Sequence, residues 1–545
     1  MPTINFKGKN AVWNHHLSLP YQILEKDKKL SAKGKNEDEN LIIEADNLIA
    51  LKSLLPKYQG KIKCIYIDPP YNTGNENWVY NDKVNSPLLR AWIGEIVGKD
   101  DLTKHDKWLC MMVPRLKLLR EFLNDEGVIF ISIDNNEEHH LRNICDEIFM
   151  DNFIAKLVWK GKSGAEDDNY YRTIHEYILV YAKNKSQFNA GLQIKEGGNF
   201  PKFDQNKEKY YTTQLLRKWG SNSRREDRPN LFYPIKGPDG NDFFPRLPDG
   251  SDGCWRWDKS KMIKAIENGD IDFAFNNKNL LEAYEKIYEP DENENRFKKY
   301  QSVLDNVGST TMGTKELMEI FDGLKVFDHP KPTSLLKRLF TMSGLRNNDI
   351  ILDSFAGSGT TAHAVLELNK EDGGNRKFIL VQLPEKIEED KPAYKAGFKY
   401  VHEITRERVK RVIERDKLEV GFYYMRLGPK IDADSILNGD LPTYNEFAKY
   451  VYYLAAGKTM DNEESINEKN YFVGKINSET VYLIYEKDTE KLKKLAITLD
   501  WAEEVNKKDN GKKIVYAPAC FLDEEYLERF NISFVSIPYN LFEKK

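Results

Sequence analysis

Between residues 41 and 70 the chain passes from strand to helix to strand in thirty residues, and this period constrains the fold more than any other feature. Residues 41–45 (LIIEA) are an apolar strand-length run, Asp46 and Asn47 are able to cap the start of a helix, and Leu48, Leu51, Leu54 and Leu55 recur at helical spacing. A second apolar run, 62–67, stops at Asp68-Pro69-Pro70. Unbroken apolar runs joined by a helix predict parallel strands buried on both faces of an α/β sheet. The pattern repeats with a helix over 107–124, turn residues Asp125-Glu126-Gly127, a strand at 128–132 and further strands at 153–159 and 177–182. It breaks off near residue 186 and resumes after 325, with a helix at 334–342, a strand at 350–353, a helix from 360 to 368 and a strand at 378–383. One sheet domain is therefore expected in two halves, 41–185 and 326–425, around an insert at 186–325. Residues 1–40, ending in KGKNEDEN, read as an arm and solvated linker. Residues 426–545 read as a small C-terminal α/β domain, with a helix at 444–456 and strands at 471–475, 481–486, 513–517 and 532–537.

Composition narrows the class. A chain of 545 residues is long enough for three or four domains, and 40% hydrophobic with 12% aromatic residues is too rich in core-forming side chains for disorder. Its apolar runs fall far short of the ~20 residues of a spanning helix, and the N-terminus MPTINFKGKNAVW lacks a signal-peptide pattern, so the expected address is the cytoplasm with no membrane association. Five scattered cysteines, never in a C-x-x-C pair, argue against a disulfide framework and a zinc site; no metal is expected. The net charge of −4 carries no basic signature for nucleic acid, so any such footprint is local. Residues 201–264 supply one: 14 Lys and Arg against 9 Asp and Glu, interleaved with Tyr210, Tyr211, Trp219, Phe232, Tyr233, Phe243, Phe244, Trp255 and Trp257. Such a segment can hold phosphates and stack bases, or it can be an aromatic-cored insert with ordinary surface charge.

Two motifs carry chemistry. Asp68-Pro69-Pro70-Tyr71 follows a strand directly, where open α/β sheets place their ligands. The prolines remove N–H donors, so the Asp68 carboxylate and the Pro69 carbonyl are left to accept both hydrogens of an exocyclic amine on a planar heterocycle, and Tyr71 offers a face for its ring. The plain alternative is a strand-ending turn with a solvated acid and a packed tyrosine. The second motif, Asp353-Ser354-Phe355-Ala356-Gly357-Ser358-Gly359-Thr360-Thr361, joins a strand to a helix. Its glycines allow a tight turn and close ligand approach, but it matches neither G-x-G-x-x-G nor a phosphate loop, and alone it could be a simple βα turn.

Taken together and in this order, the motifs resemble the β-class amino methyltransferases that use S-adenosylmethionine, in which D-P-P-Y precedes a target-recognition insert and F-x-G-x-G follows it. His329-Pro330-Lys331-Pro332 looks like the K-P element of that class. Residues 40–74 and 376–385, and Gly421-Phe422-Tyr423-Tyr424, resemble more narrowly the modification subunits of type III restriction-modification systems.

The resemblance implies a circularly permuted seven-strand Rossmann-like methyltransferase sheet and methyl transfer to adenine N6 in double-stranded DNA by base flipping. Alternatives are cytosine N4, RNA or a protein side-chain amide as acceptor, and a catalytically silent DNA-recognition subunit. Asp68, Pro69, Pro70 and Tyr71 would form the catalytic turn. Asp68 would also touch the cofactor, together with Asp46, Lys331, Asp353, Phe355, Ala356, Gly357, Gly359 and Thr360. Where many relatives carry an acid for the ribose this chain has Gln382, with Glu385 three residues on as a possible substitute. Residues 75–103 are a candidate flap over the target base, and Arg224, Arg225 and Arg228 are candidate DNA contacts. The implied partners are double-stranded DNA, a second copy of the chain and a separate ATP-dependent restriction subunit.

Overall fold

The computed structural model describes residues 3–73, 104–162, 171–194, 199–277, 279–289, 297–431, 441–456, 460 and 462–537; the expected flap at 75–103 lies outside them. The chain divides into two compact units, Met1–Gly191 with Tyr300–Lys545, and Leu192–Lys299.

The first unit is built on a ten-stranded sheet. In chain order its strands are β1 (Tyr21–Lys26), β2 (Leu41–Glu44), β3 (Ile62–Ile67), β4 (Leu123–Ile133), β5 (Phe153–Trp159), β6 (Glu176–Ala182), β7 (Val303–Leu304), β8 (Ile350–Asp353), β9 (Lys377–Gln382) and β10 (Tyr423–Ile431). Across the sheet they run β1-β10-β2-β9-β8-β3-β4-β6-β5-β7. Neighbours from β10 to β4 are parallel, whereas β6 lies antiparallel between β4 and β5. The strand that leads into the glycine-rich turn, β8, thus sits beside β3 despite their separation in sequence.

Both sheet faces are covered, as the unbroken apolar runs require. Helices α1 (Asn47–Tyr58), α2 (Lys104–Phe122) and α3 (Glu138–Phe149) pack on Ile65 and Ile67 of β3. Helices α4 (Thr310–Ile320), α5 (Thr333–Met342), α6 (Thr360–Asp372) and α7 (Val401–Arg415) pack on the alternate residues Cys64 and Tyr66. Every residue of β3 is consequently buried.

Four boundaries differ from expectation. Residues 1–40 are no detached arm: Tyr21–Lys26 forms edge strand β1, antiparallel to β10. The sheet has ten strands instead of seven because β1, β10 and β7 widen its edges; β7 pairs over only two residues, too few to leave a period. The compact insert is 192–299, narrower than 186–325, because Val303–Leu304 joins β5 and the Leu317–Phe321 end of α4 enters the core of the first unit. The turn residues 125–127 lie inside β4, whose pairing with β3 jumps from Ile62↔Leu123 to Cys64↔Val128, so the turn-prone segment becomes a bulge.

The C-terminal sheet, ordered Phe472–Ile476, Glu479–Leu483, Lys512–Ala517 and Ile532–Ser536, shares a core with Tyr21 and Ile23 of β1. Tyr21 stacks on Tyr450 at 4.6 Å between ring centroids, which ties this region to the main sheet. Among the described residues no helix is long and apolar enough to cross a membrane, and no cysteine is in a disulfide.

The second unit carries a four-stranded antiparallel sheet, ordered Ile271–Phe275, Leu281–Tyr288, Lys209–Leu215 and Lys202–Asp204. Its aromatics divide by role. Tyr233, Trp255 and Trp257 are core, while Tyr210 and Trp219 stand exposed.

Candidate active site

The register of the central strands brings the two motifs together. Ile351 and Leu352 of β8 pair with Cys64 and Ile65 of β3, and the Asp68 charge after β3 acts on Asp353 at the end of β8. The acid–Pro–Pro turn and the glycine-rich turn therefore leave the carboxyl ends of adjacent parallel strands, where this class of sheet forms its ligand crevice.

Asp68 anchors a charged cluster. Lys331 Nζ lies 3.0 Å from Asp68 Oδ1 and 2.7 Å from Oδ2. The Tyr71 hydroxyl lies 2.7 Å from Asp68 Oδ1 and 3.1 Å from Glu176 Oε2, sharing its proton between them, and accepts from Lys331 at 3.0 Å. Glu176 also faces Lys331 at 3.4 Å. Burial alone would lower the Lys331 pKa, but the charges of Asp68 and Glu176 outweigh it and hold the ammonium above its ordinary value. Burial first, then those same two carboxylates, push the Tyr71 phenol far up, so it stays a neutral donor. The next layer fixes the turn itself: Trp108 Nε1 donates to the Pro70 carbonyl at 2.7 Å.

Lys331, expected among the cofactor contacts, is paired with Asp68. Glu176 was missed by sequence reasoning, since a lone acid at the start of an apolar strand gives no local signal. It acts as a positioning residue, because it holds Tyr71 and Lys331. Glu176→Gln should lower kcat up to about 10²-fold while leaving the KM for DNA within a factor of about two; a change confined to KM would contradict a positioning role.

The glycine-rich turn is braced from within. The Asp353 carboxylate points inward, accepting from Phe355 N at 2.9 Å and Thr361 Oγ1 at 2.5 Å, and burial pushes its pKa up to about 7. Gly357 and Gly359 take φ of +53° and +81°. A Cβ at Gly359 would meet the Thr405 carbonyl oxygen at 3.0 Å, so the glycine there serves helix packing. The Gly357 N–H donates to Gln382 Oε1 at 2.7 Å, so this position supports the turn. Thr360 accepts from the fully buried Arg408 at 2.7 Å, and the Ala356 N–H from the same turn donates to Val381 O at 3.2 Å.

Asp46 is the N-cap of α1, accepting from Leu48 N at 2.9 Å and paired with Arg115 at 3.1 Å. It stands one strand beyond β9, on which Gln382 pairs with Glu44. Glu385 lies just past β9 with its side chain partly exposed. The donor set fits S-adenosylmethionine: the partly exposed carboxylates of Asp46 and Glu385 suit a ligand with ribose hydroxyls, and the buried Ser354 Oγ has no hydrogen-bond partner among the described residues.

In the second unit Arg224 faces Asp249 at 3.5 Å and Arg225 faces Asp252 at 3.0 Å, an acid it shares with Arg246, so two of the three expected DNA contacts have acidic partners on the exposed surface. Arg228 instead lines a cavity of about 320 Å³ with Lys218, Trp219, Leu231, Trp255 and Arg256.

One further cluster escaped the sequence reading, which expected no metal: His105, Glu137 and His140 converge on a common point. Their separation along the chain, 32 residues between the first two, matches no local ligand spacing.

An acid–Pro–Pro turn beside a glycine-rich turn, on a mostly parallel sheet, is the arrangement of an amino methyltransferase. The profile described as DNA methylase matches residues 62–391. The chain is 34% identical over 448 residues to the type III restriction-modification enzyme EcoPI Mod subunit of Escherichia phage P1, covering 76% of this chain and 68% of that protein. It is 31% identical over 481 residues to the EcoP15I Mod subunit of Escherichia coli, covering 79% and 72%, and 35% identical over 387 residues to the type II methyltransferase M.KpnI of Klebsiella pneumoniae, covering 67% and 86%. The chain belongs to the DNA methylase family and, within it, to the modification subunits of type III restriction-modification enzymes.

Proposed function

We propose that the protein transfers a methyl group from S-adenosylmethionine to adenine N6 in double-stranded DNA, as the modification and specificity subunit of a type III system. The observation that carries this reading is the parallel pairing of β3 with β8, because a methyl donor held at the glycine-rich turn after β8 would then face an amine held at the acid turn after β3.

The cofactor supplies an electrophilic methyl group on a sulfonium. An ionised carboxylate offers about four acceptor sites. Lys331 and Tyr71 make three contacts to Asp68, so the carboxylate retains capacity for one adenine N–H. The Pro69 carbonyl takes the second hydrogen. With both hydrogens held, the amine lone pair would be drawn out of ring conjugation and free to take the methyl group that a sulfonium would supply, leaving a neutral thioether. The product ammonium then gives its proton to Asp68 or to water. Tyr71, fixed at its hydroxyl, presents a ring on which the flipped base stacks, worth about 1–3 kcal/mol. Flipping itself costs a few kcal/mol. On this reading Asp46 and Glu385 are the acids for the cofactor, while Asp353, Thr360 and Gln382 shape the turn. Nucleoside mass spectrometry of DNA methylated by the purified chain should show N6-methyladenine; N4-methylcytosine alone would replace the adenine reading with the cytosine one.

The insert is the proposed DNA reader. Arg228→Ala should weaken DNA binding several-fold and flatten its log–log salt dependence by about one unit, because one phosphate contact is lost. Arg224→Ala and Arg225→Ala should do less, since each cation has an acidic partner. Equal losses across the three variants in a salt-series titration would contradict this assignment. The chain should be a homodimer by light scattering, methylate without ATP and leave DNA uncut, cleavage being the work of a separate ATP-dependent restriction subunit. A cytoplasmic location accords with such a substrate.

A further inference from the structure

We propose that His105, Glu137 and His140 form a binding site for a single divalent transition-metal ion of the Zn2+ type, held against the back of the catalytic turn. His105 Nδ1 lies 2.7 Å from Glu137 Oε1 and His140 Nδ1 lies 2.9 Å from Oε2. All the ligand atoms fall within 4.8 Å of one another. Two imidazole nitrogens and one carboxylate oxygen make a three-ligand set suited to Zn2+, Co2+ or Ni2+ and poorly suited to Mg2+ or Ca2+, which take oxygen ligands.

Three features favour an ion over a hydrogen-bonded cluster alone. Glu137 is fully buried, and among the described residues its ion-pair partners are only these two histidines, so no permanently charged Lys or Arg compensates the carboxylate. The histidines remain 35% and 22% exposed, which leaves an entry path and room for water as a fourth ligand. The carboxylate is also oriented from behind, because Asn72 Nδ2 donates to Glu137 Oε1. Neutral imidazoles need only carry their proton on Nε2 to turn Nδ1 toward a metal. Helix α2 supplies His105 and, three residues on, Trp108, whose indole holds the Pro70 carbonyl. Asn72, the residue after Tyr71, has a φ of +58° and is tied on both sides, to Glu137 and to the Lys104 carbonyl at 3.2 Å. An ion at this point would therefore clamp the turn that bears Asp68 without touching the reacting atoms. His139, exposed and tilted against His140 with ring centroids 3.9 Å apart, is no part of the ligand set.

The test uses the full-length chain with any affinity tag removed, stripped with chelator and then titrated with Zn2+ or Co2+. One metal per chain should survive desalting, measured by elemental mass spectrometry, and Co2+ should give the visible absorption of a low-coordinate N/O site. His105→Ala and His140→Ala should each weaken binding at least tenfold, whereas His139→Ala should not. Circular dichroism checks that each variant is folded. If a ligand variant fails to fold, His140→Asn, which keeps a polar group of similar reach, provides the same comparison. Loss of all metal from the wild-type chain on desalting would overturn the proposal. So would equal affinity in wild type and His140→Ala. Neither result depends on methylation activity, so failure here leaves the proposed reaction untouched.

Discussion

Asp68→Ala protein is expected to lose methyl transfer by about 10³-fold or more while retaining affinity for its DNA site. In the proposed reaction the carboxylate accepts one of the two amine hydrogens, and removing one preorganised partner of the reacting group typically costs about 10²–10³ in kcat. Here the loss extends further because the variant disturbs its neighbours. Lys331, nearly buried, would keep Glu176 as its carboxylate partner but lose the closer one. An ammonium left under-compensated in such a site destabilises a fold by about 3–5 kcal/mol when no water reaches it; the 27% exposure of Asp68 reduces that figure. Single-turnover methylation, DNA titration and thermal melting should be measured on the same preparation. Turnover within tenfold of wild type would remove Asp68 from the mechanism. Loss of turnover together with loss of the melting transition would point to misfolding, and Asp68→Asn, which preserves shape and hydrogen bonding while discarding charge, then separates the two.

The second large effect is on stability. Asp353 carries a folded-state pKa raised to about 7, against an ordinary value near 3.8. Between those values the folded chain holds a proton that the unfolded chain has released. Stability from this group therefore declines as pH rises from about 4 to about 7 and stays low above that. At 1.36 kcal/mol per pKa unit the full decline is on the order of 4 kcal/mol. Asp353→Asn removes the ionisation, at the cost of one hydrogen bond worth about 1 kcal/mol. At pH 8 the variant should thus be more stable than wild type by about 1–3 kcal/mol, and its denaturation midpoint should vary less between pH 5 and 8. Urea unfolding across that range provides the check. A variant less stable than wild type at pH 8, with an unchanged pH profile, would mean that the carboxylate is already ionised and well paired in the fold.

Asp353 and Gln382 have a use in the fold that their sequence motifs do not mark. Asp353 and Gln382 stand where a family pattern puts ligand contacts, yet Asp353 holds Thr361 and the Phe355 N–H, and Gln382 holds the Gly357 N–H. A turn with two positive-φ glycines exposes backbone N–H groups that need acceptors, and these side chains meet part of that need.

The sequence by itself determined the α/β class, the positions of β2, β3, β8 and β9, and the two turns that come after β3 and β8. All of these depend on interactions between residues a few positions apart: apolar periodicity, proline geometry and glycine conformation. The edge strands were not legible, since β7 pairs over two residues and β1 sits in a segment of mixed polarity. Nor were the partners of the catalytic acid. Lys331 reaches Asp68 across 263 residues and Glu176 reaches Tyr71 across 105, contacts that exist only once β3, β6 and the segment before α5 are docked. The convergence of His105 and His140 on Glu137 likewise arose from packing. A charged side chain finds its counterion by spatial proximity in a low-dielectric interior, and proximity at that range is set by the sheet order, which no local pattern encodes.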